Sequence, residues 1–351
     1  MTDTRPFLSI VMRTQGRRLT CLAEALTCLA GQTCTDFEVL VMGHRLTATE
    51  RADVERVIGE TPDWLRERVR FLAVDRGKRA APLNEGFAAA RGDYVAILDD
   101  DDLPFGHWVQ TFAELAEEAP GRVLRTIAVQ QDVVACTVLG EQGVRAVGPV
   151  EDRYPPEFDF VEHLRQNFTP NTAIAFPRGP FHEGGVRFDE ELTTTEDWDF
   201  IMRTVAVAGV ASRPEITCLY RWWVEGASSR TDHDREEWDR NMETIVAKLD
   251  EAPLTFPPGA VRRIRALFTE RDELRYGALS GARADALVRV LSILESRSWR
   301  AAAPLRAVGR LLGHRPVRPS DYVHWPLSSL LEVIDELEAS RSWRWTAFLR
   351  R

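Results

Sequence analysis

Two hydrophobic patterns alternate along the first hundred residues of the chain. Short apolar runs, which suit buried strands, are separated by stretches in which apolar residues recur every three to four positions, as in an amphipathic helix. The runs predict strands at 7–12, 37–42, 69–74 and 94–98, with helices at 19–30, 48–59 and 80–91 between them. This alternation with short links predicts an α/β fold, in which a parallel sheet is covered by helices on both faces.

The pattern changes in the second third of the chain. It predicts helices at 104–118, from about 196 to 208 and at 235–250, and strands at 123–129, 133–139, 144–147, 171–176 and 215–223. Pro104 marks the start of the first of these helices. Pro253, Pro257 and Pro258 then mark a boundary, beyond which the sequence is helical and rich in arginine and leucine. We therefore expect two domains, an α/β domain over 1–252 and a helical C-terminal domain over 253–351.

Four consecutive carboxylates, Asp99 to Asp102, directly follow the fourth predicted strand. Side chains at the carboxyl ends of parallel strands converge on the crevice where ligands bind in such folds. Adjacent carboxylates repel one another, so holding them close together requires a cation or hydrogen-bond donors. A solvated acidic turn is the alternative interpretation. The buried strand before the acids and Pro104 after them favour a divalent metal site.

Basic residues follow two neighbouring predicted strands, as Arg13-Thr14 and Lys78-Arg79. Arginine forks and a lysine suit phosphate oxygens, and a divalent ion beside them suits a diphosphate. Plain surface charge is the alternative for each of these residues. No GxGxxG follows the first strand, and the chain contains neither GxxxxGK[ST] nor GxSxG, which disfavours dinucleotide-binding, P-loop and α/β-hydrolase proteins.

Composition narrows the class of partner and the compartment. The net charge of −9 disfavours nucleic-acid binding, and no apolar run approaches the roughly 20 residues of a membrane span. The five cysteines are odd in number and never spaced as CxxC, which argues against a zinc site and a disulfide framework. We therefore expect a cytoplasmic protein.

Several short motifs together resemble a known family. They are Arg13-Thr14, Gly31-Gln32-Thr33, Phe37-Glu38-Val39-Leu40-Val41, Leu83-Asn84-Glu85-Gly86, Ala90-Arg91-Gly92-Asp93-Tyr94, Leu98-Asp99-Asp100-Asp101-Asp102 and Thr195-Glu196-Asp197-Trp198-Asp199. In this order and spacing, over roughly residues 5–250, they resemble the GT-A fold family 2 glycosyltransferases of the bacterial polysaccharide type. Any one of the motifs alone would be weak.

This resemblance implies a GT-A fold with a Rossmann-like, mostly parallel sheet and a metal-dependent, inverting transfer. A sugar would pass from a nucleotide-diphosphate donor, held with Mn²⁺ or Mg²⁺, to a hydroxyl of a glycan or lipid-linked acceptor. Asp99 and Asp101 match the ends of the family's DxD motif, with Asp100 and Asp102 as alternatives in register. In the matching Glu-Asp pair, Asp197 would be the general base and Glu196 its neighbour.

Further residue roles are expectations of the same resemblance. The expected donor contacts are Arg13, Thr14, Lys78, Arg79, Asn84, Asp99 and Asp100. The metal ligands would be Asp99 and Asp101, and the acceptor side would include Trp198, Arg221 and Trp222. His233, after Ser228-Ser229, is a separate candidate for a third metal ligand or a phosphate contact, and the alternative is that it has neither role. Helix capping is the alternative role for Glu196-Asp197. Gly43-His44 stands where the family usually has an acidic pair near the nucleobase, which leaves the base open.

Two other functions remain open. A sugar-1-phosphate nucleotidyltransferase shares the sheet and the metal carboxylates, although it normally carries a Gly-rich loop that Arg13-Thr14-Gln15-Gly16 matches poorly. A non-catalytic sugar- or partner-binding domain could use the same crevice. Donor, base, acceptor and linkage cannot be read from these residues.

The C-terminal region contains an internal repeat, because residues 296–300 (SRSWR) recur as 340–344. From 296 to 320 there are six arginines and no acid. One interpretation is a basic helix that rests on anionic lipid at the inner face of the membrane or docks a partner. The other is a helical hairpin with its charged face in water.

Overall fold

The fold is described from a computed structural model of the chain. The described residues are 5–138, 140–225, 233–251, 253–301, 303–304, 322, 325–340 and 344. The predicted basic segment therefore falls mostly outside the described residues from 305 onward, as does the middle of the second SRSWR copy. The chain divides into two compact units, residues 1–260 and 261–351. The boundary of 252/253 expected from the prolines lies eight residues before this division.

Nine strands of the described residues form one mixed sheet. The strands are β1 (Leu8–Thr14), β2 (Phe37–His44), β3 (Val69–Val74), β4 (Tyr94–Asp99), β5 (Leu103–Pro104), β6 (Val123–Val138), β7 (Glu141–Glu151), β8 (Ile174–Pro177) and β9 (Val210–Trp223). Their order is β3-β2-β1-β4-β8-β6-β9-β5, with β7 paired to β6. Strands β1 to β4 are parallel, as predicted, whereas β8 runs antiparallel to both β4 and β6. The sheet is therefore parallel in its first half and mixed beyond it.

Helices cover both faces of this sheet. In the first unit they are α1 (Leu19–Ala30), α2 (Ala48–Gly59), α3 (Asp63–Arg66), α4 (Ala81–Ala89), α5 (Trp108–Glu118), α6 (Phe160–His163), α7 (Arg178–His182), α8 (Glu196–Ala208) and α9 (Arg235–Glu251). Leu8, Ile10 and Met12 pack in a core with α1, α2 and α5. Val11, on the other side of β1, packs in a second core with α4, α8 and α9. The period-2 alternation of β1 thus directs odd-numbered side chains toward α4 and α8.

Two motif glycines are needed where the backbone packs closely. A Cβ on Gly86 would lie 2.5 Å from Val11 Cγ1, so this glycine lets α4 approach β1. A Cβ on Gly92 would lie 2.6 Å from the Ser9 nitrogen, because the turn before β4 crosses the start of β1. Both distances are well inside van der Waals contact, so a larger residue would displace the elements that carry the site.

Several predicted boundaries were wrong, including that of the strand at 171–176, which begins only at Ile174 because residues 171–173 form a 3-10 helix. Residues 123–129 and 133–139 were predicted as two strands, but they belong to one strand, β6, with an irregularity between Gln131 and Val133. The predicted strand at 144–147 is the longer β7. Pro104 does not begin a helix, because it pairs with Cys218 at the end of the short strand β5, and α5 begins only at Trp108. Long-range pairing with β9 overrides the local proline signal here.

The second unit is helical in its described residues. It contains α10 (Ala260–Glu295) from its second residue onward, followed by α11 (Arg297–Ala301) and α12 (Leu327–Ala339). The SRSWR repeat begins at a helix end in both copies. The Ser296 hydroxyl donates to the Ile293 carbonyl at 2.7 Å, and the Ser340 hydroxyl donates to the Leu337 carbonyl at 2.6 Å. The repeated serine therefore ends a helix in the same way twice.

Candidate active site

The acidic turn follows β4 because the register of the sheet places it there. Arg13 at the end of β1 is the pairing partner of Asp99 at the end of β4. Its guanidinium donates to Asp99 Oδ1 at 2.7 and 2.8 Å and to Oδ2 at 3.0 Å. Both oxygens of Asp99 are thus held by one arginine, in the bidentate geometry that charge-assisted pairs favour.

The same arginine reaches a second acid at the start of α8. Arg13 also donates to Glu196 Oε1 at 2.9 Å and to the Arg79 carbonyl at 3.3 Å. Arg79 donates to the same Glu196 oxygen at 2.7 Å. A single guanidinium therefore joins the acidic turn to the Glu-Asp pair, although 97 residues separate Asp99 from Glu196. The two motifs form one site.

Glu196 is a buried charge with an incomplete set of partners. Its side chain is 1% exposed, and Oε2 has no hydrogen-bond partner among the described residues. Burial acts to raise the pKa of Glu196, but the charges of Arg79 and Arg13 outweigh it and hold that pKa below its ordinary value. Glu196 is therefore ionised at neutral pH. The preceding Thr195 adopts a left-handed backbone with φ 59°, which is costly for a branched residue and typical of functional sites.

Asp197 differs from its neighbour in its environment. It is half-buried, and Asn167 Nδ2 donates to its Oδ2 at 3.4 Å, while its own Oδ1 accepts from the Trp198 amide at 2.8 Å. Burial, and then the negative charge of Glu196, raise the pKa of Asp197 to about 6. A carboxylate with this pKa is ionised at neutral pH and still basic enough to accept a proton. The N-cap residue Thr195 makes no side-chain capping bond, but Asp197 lies in the first turn of α8, where a negative charge complements the helix dipole.

The rest of the acidic turn is bound from several elements. Asp101 accepts from Arg18 and, at 2.8 Å, from the indole nitrogen of Trp223. Asp102 is 1% exposed and accepts from the Thr172 hydroxyl at 2.5 Å and the Arg221 amide at 3.0 Å. Burial, and then the charge of Asp101, raise the pKa of Asp100 to about 7. The turn therefore holds more negative charge than its arginine partners neutralise.

Comparisons with known proteins agree with this geometry. The sequence profile described as "Glycosyl transferase family 2" matches residues 9–178, which include β1, the acidic turn and β8. Residues 9–178 therefore carry the sequence pattern of the family 2 glycosyltransferases. The Glu196-Asp197 pair lies beyond the matched residues, so its place in the site rests on the contacts with Arg13 and Arg79.

Among the relatives of the chain is the O-antigen biosynthesis protein RfbC of Myxococcus xanthus. It is 34% identical over 104 residues, which are 29% of this chain and 8% of that protein. The curated relatives are matched over only 8% to 36% of their own lengths. Their activities as whole proteins therefore do not transfer directly to this chain.

Solved structures share the GT-A fold. S. aureus TarS 1-349 in complex with UDP-GlcNAc has a TM-score of 0.54 at 20% identity and covers 71% of this chain and 68% of its own. The mannosyltransferase PcManGT from Pyrobaculum calidifontis, in complex with GDP-Man and Mn2+, has a TM-score of 0.53 at 16% identity over 99% and 85% of the two chains. At these identities the likeness concerns the fold alone.

Some predicted site residues of the domain lie outside the ion-pair cluster. Lys78 is half-exposed and donates to the Glu191 carbonyl at 3.3 Å. The side-chain amide of Asn84 donates to the Phe188 carbonyl and to Glu190, and its oxygen accepts from the Phe188 amide. Asn84 therefore holds the 188–190 segment against α4. The predicted donor contacts of Lys78 and Asn84 remain predictions.

Of the three predicted acceptor residues, one lies in the core and two lie at the end of β9. Trp198 is 1% exposed and donates its indole N–H to the His163 carbonyl at 2.8 Å, so it is a core residue with no surface for an acceptor. An acceptor contact was predicted for Trp198 because it follows Asp197 in the sequence, but adjacent side chains on a helix face different directions. Arg221 pairs with Glu24 at 2.5 Å, and Trp222 packs edge-on against Tyr220. Both lie at the end of β9.

The predicted metal ligands are partly assembled. Thr14 forms a hydrogen bond with Asp100. The ring of His233, which precedes α9, forms a hydrogen bond of 2.9 Å with Glu237 in the first turn of that helix. Within the described part of the chain, no three His, Cys, Asp or Glu side chains form a metal-binding group. Mg²⁺ is often held by only one or two carboxylates, with substrate phosphates and water as the other ligands. The hard oxygens of Asp99 and Asp101 at the tip of β4 fit that requirement.

Sequence reasoning missed two contributors to the site, namely Arg18 and Asn167. Arg18 lies 4.1 Å over the Trp223 ring while it pairs with Asp101. The phenol of Tyr220 is close enough to Asp102, Asp197 and Asp99 that burial and these charges raise its pKa. Tyr220 was visible in the aromatic segment 220–223, but Asn167 lies in a loop without any sequence signal.

No helix in the described residues is both long enough and apolar enough to cross a bilayer.

Proposed function

We propose that the protein is a metal-dependent, inverting glycosyltransferase that moves a sugar from a nucleotide-diphosphate donor to a hydroxyl of a surface glycan or related acceptor. The observation that carries this proposal is the Arg13 bridge between Asp99 and Glu196. It brings the carboxylates suited to a divalent ion and the carboxylate suited to a base into one site. The family 2 match and the nucleotide-sugar complexes of TarS and PcManGT support the donor class.

Each part of the site has a separate task in this reaction. Asp99 and Asp101 would hold Mn²⁺ or Mg²⁺, which neutralises charge developing on the leaving diphosphate. Asp197 accepts the proton of the acceptor hydroxyl on the face opposite the diphosphate. Glu196 keeps Asp197 basic through its negative charge, while Arg13 and Arg79 keep Glu196 ionised. Arg13 is thus a positioning residue as well as an expected donor contact.

The acceptor side would be formed by the end of β9 and by residues 164–170, which follow α6. Asn167 contacts Asp197, and Tyr220 of β9, which interacts with the charges of Asp102 and Asp197, packs edge-on against Trp222. A flat aromatic beside a carboxylate suits a sugar ring, whose C–H face is apolar and whose hydroxyls are polar. The O-antigen name of the Myxococcus relative agrees with a polysaccharide acceptor.

Two variants test the proposal. In a donor-hydrolysis and transfer assay with Mn²⁺, Asp197→Asn should lose about 10³-fold in turnover and still bind the donor. Asp101→Ala should instead weaken donor binding in the presence of Mn²⁺. Unchanged turnover in Asp197→Asn would remove the base. Release of pyrophosphate from a nucleoside triphosphate and a sugar 1-phosphate would indicate the nucleotidyltransferase instead.

A further inference from the structure

A second cleft lies at the opposite edge of the sheet from the candidate active site. It has a volume of about 660 Å³, which is within the usual range of small-molecule sites. Its lining residues are Arg5, Pro6, Asp36, Phe37, Glu38, Glu67, Arg68, Arg70, Ala90, Arg91 and Arg178. Most of them immediately precede or begin β1, β2, β3, β4 or α7. The cleft therefore lies at the amino ends of the parallel strands, whereas the acidic turn lies at their carboxyl ends.

The charge of this cleft is opposite to that of the whole chain. Five of its lining residues are arginines and three are acids, in a protein with a net charge of −9. One of the three acids is already satisfied. Glu38 is 7% exposed, and it accepts from the Ser9 hydroxyl at 2.8 Å, the Arg91 amide at 2.8 Å and Arg70 at 3.1 Å. The Glu38–Arg70 pair leaves four arginines and two acids, Asp36 and Glu67, so a ligand would still meet more guanidinium groups than carboxylates.

Several of these guanidinium groups have N–H donors that make no hydrogen bond within the described residues. Within the described part of the chain, the side chains of Arg68 and Arg91 form no hydrogen bond or ion pair, and Arg68 only stacks 5.6 Å from the Trp64 ring. Arg178 donates to the Ala90 carbonyl at 2.5 Å, and Arg5 makes a long contact of 3.4 Å with Asp93. The Arg5–Asp93 pair is exposed and therefore weak, so an anion can compete for Arg5, and Arg178 has further N–H groups beyond the one that bonds the Ala90 carbonyl.

We propose that this cleft binds a phosphate-bearing ligand, as a second anion site distinct from the donor site. Guanidinium forks that arrive from separate elements match the several oxygens of a phosphate group, and they bind it more specifically than lysine would. The phosphate could come from a soluble phosphorylated molecule or from an anionic lipid headgroup. The chemistry of recognition is the same for both, and experiment distinguishes them. This inference does not depend on the proposed function.

The first experiment is calorimetric titration of the full chain with pyrophosphate in EDTA, which prevents metal-dependent binding at the acidic turn. The cleft variant is Arg68→Ser/Arg91→Ser. Arg235→Ser/Arg271→Ser removes the same charge from exposed helical positions and is the matched control. We expect the dissociation constant to rise at least tenfold in the cleft variant and less than twofold in the control. The single variant Arg91→Ser, at an exposed side chain, keeps the test valid should the double variant unfold.

The second experiment separates the two sources of phosphate. Vesicles of phosphatidylglycerol and phosphatidylcholine are sedimented with the wild-type chain, the cleft variant and the control, and vesicles of phosphatidylcholine alone serve as blank. Loss of sedimentation in the cleft variant alone assigns the site to lipid phosphate. Binding of pyrophosphate without binding of vesicles assigns it to a soluble ligand. Binding of neither, or equal binding by the cleft and control variants, overturns the proposal.

The outcome is independent of catalysis. Asp197→Asn should bind pyrophosphate in EDTA as the wild type does, whether or not it still transfers sugar, because Asp197 lies at the other edge of the sheet. Failure of the proposed function would therefore leave the cleft result unchanged, and the reverse also holds.

Discussion

The two ends of the parallel strands, called here the carboxyl edge and the amino edge, each contain a buried glutamate bound by arginines. The two glutamates differ in how many of their oxygens have hydrogen-bond partners. At each edge a buried glutamate accepts hydrogen bonds from arginines on neighbouring elements, Glu196 at the carboxyl ends and Glu38 at the amino ends. Both oxygens of Glu38 have partners, whereas Glu196 Oε2 has none among the described residues. A buried carboxylate with all its bonds made stabilises the fold. One with an oxygen left over marks a place where a substrate or a neighbouring proton can act.

The balance of charge around each glutamate also differs. At the carboxyl edge Arg13, Arg18 and Arg79 are all committed to carboxylates, and acids remain in excess. At the amino edge the glutamate is satisfied and arginines remain in excess. One edge therefore suits a cation and a proton, and the other suits an anion.

The largest expected effect is that of Arg13→Met. This change leaves Asp99 without a cation and Glu196 with only Arg79, so the free energy of unfolding should fall by about 3–5 kcal/mol. Turnover should fall by about 10²-fold or more, because the metal carboxylate and the base lose their common positioning. Chemical denaturation and transfer kinetics measure the two effects. Arg51→Met, which removes an exposed pair with Glu55, is the control and should cost under about 1 kcal/mol. Turnover within threefold of wild type would show that the bridge is not needed.

Glu38→Gln should be nearly as harmful to the fold and harmless to the reaction. The amide cannot replace the charge that Arg70 pairs with, nor accept at both former oxygens, so unfolding should become easier by about 2–3 kcal/mol. Thermal denaturation measures this loss. Turnover per folded molecule should be unchanged because the residue lies at the other edge. A fall in turnover at full folding would mean that the two edges are coupled.

The pH dependence of the reaction should follow Asp197. The base acts only when ionised, so kcat/KM should rise with pH through about 6, where the pKa of Asp197 lies. Part of that shift comes from the negative charge of Glu196. Glu196→Gln should therefore lower the pKa of Asp197 and move the acidic limb down by about one pH unit. Rates are compared at saturating Mn²⁺. An acidic limb at the same pH in Glu196→Gln and the wild type would show that Glu196 does not raise the pKa of the base.

Much of the fold could be predicted because it depends on local patterns. The first four strands and the helices between them follow from apolar periodicity, and the pairing of Arg13 with Asp99 follows from adjacent parallel strands. The length of β6 and the strand role of Pro104 could not be predicted, since both result from pairing with β9, about a hundred residues away.

The candidate site was predictable where residues carry chemistry in a motif. Asp99, Asp101, Glu196 and Asp197 were named from spacing and from the family resemblance, and the structure brings them to one cluster. The hydrogen-bond partners of these acids were harder to predict. Asn167 and Arg18 lie in loops whose positions beside the acids depend on the whole fold. Trp198 shows the opposite failure. Its position beside Asp197 suggested an acceptor contact, but the helix turns its ring into the core.

The smallest expected effect concerns the register of the acidic turn. Asp102 is 1% exposed, and it accepts from the Thr172 hydroxyl and the Arg221 amide. Burial raises the pKa of Asp102 well above its ordinary value, so a neutral side chain is tolerated there. Asp102→Asn keeps one acceptor oxygen and should change turnover by less than about threefold, or under about 0.7 kcal/mol.

Asp101→Asn is the matched comparison one residue earlier. Asp101 is 16% exposed and binds side chains, Arg18 and Trp223, that a ligand can displace more easily than backbone. We expect the Mn²⁺ concentration for half-maximal activity to rise at least tenfold in Asp101→Asn and to stay unchanged in Asp102→Asn. The reverse order would assign the metal to Asp102 and shift the DxD register by one residue. Both changes replace a carboxyl group with an amide at neighbouring positions of the same turn, so the comparison tests which of the two positions binds the metal.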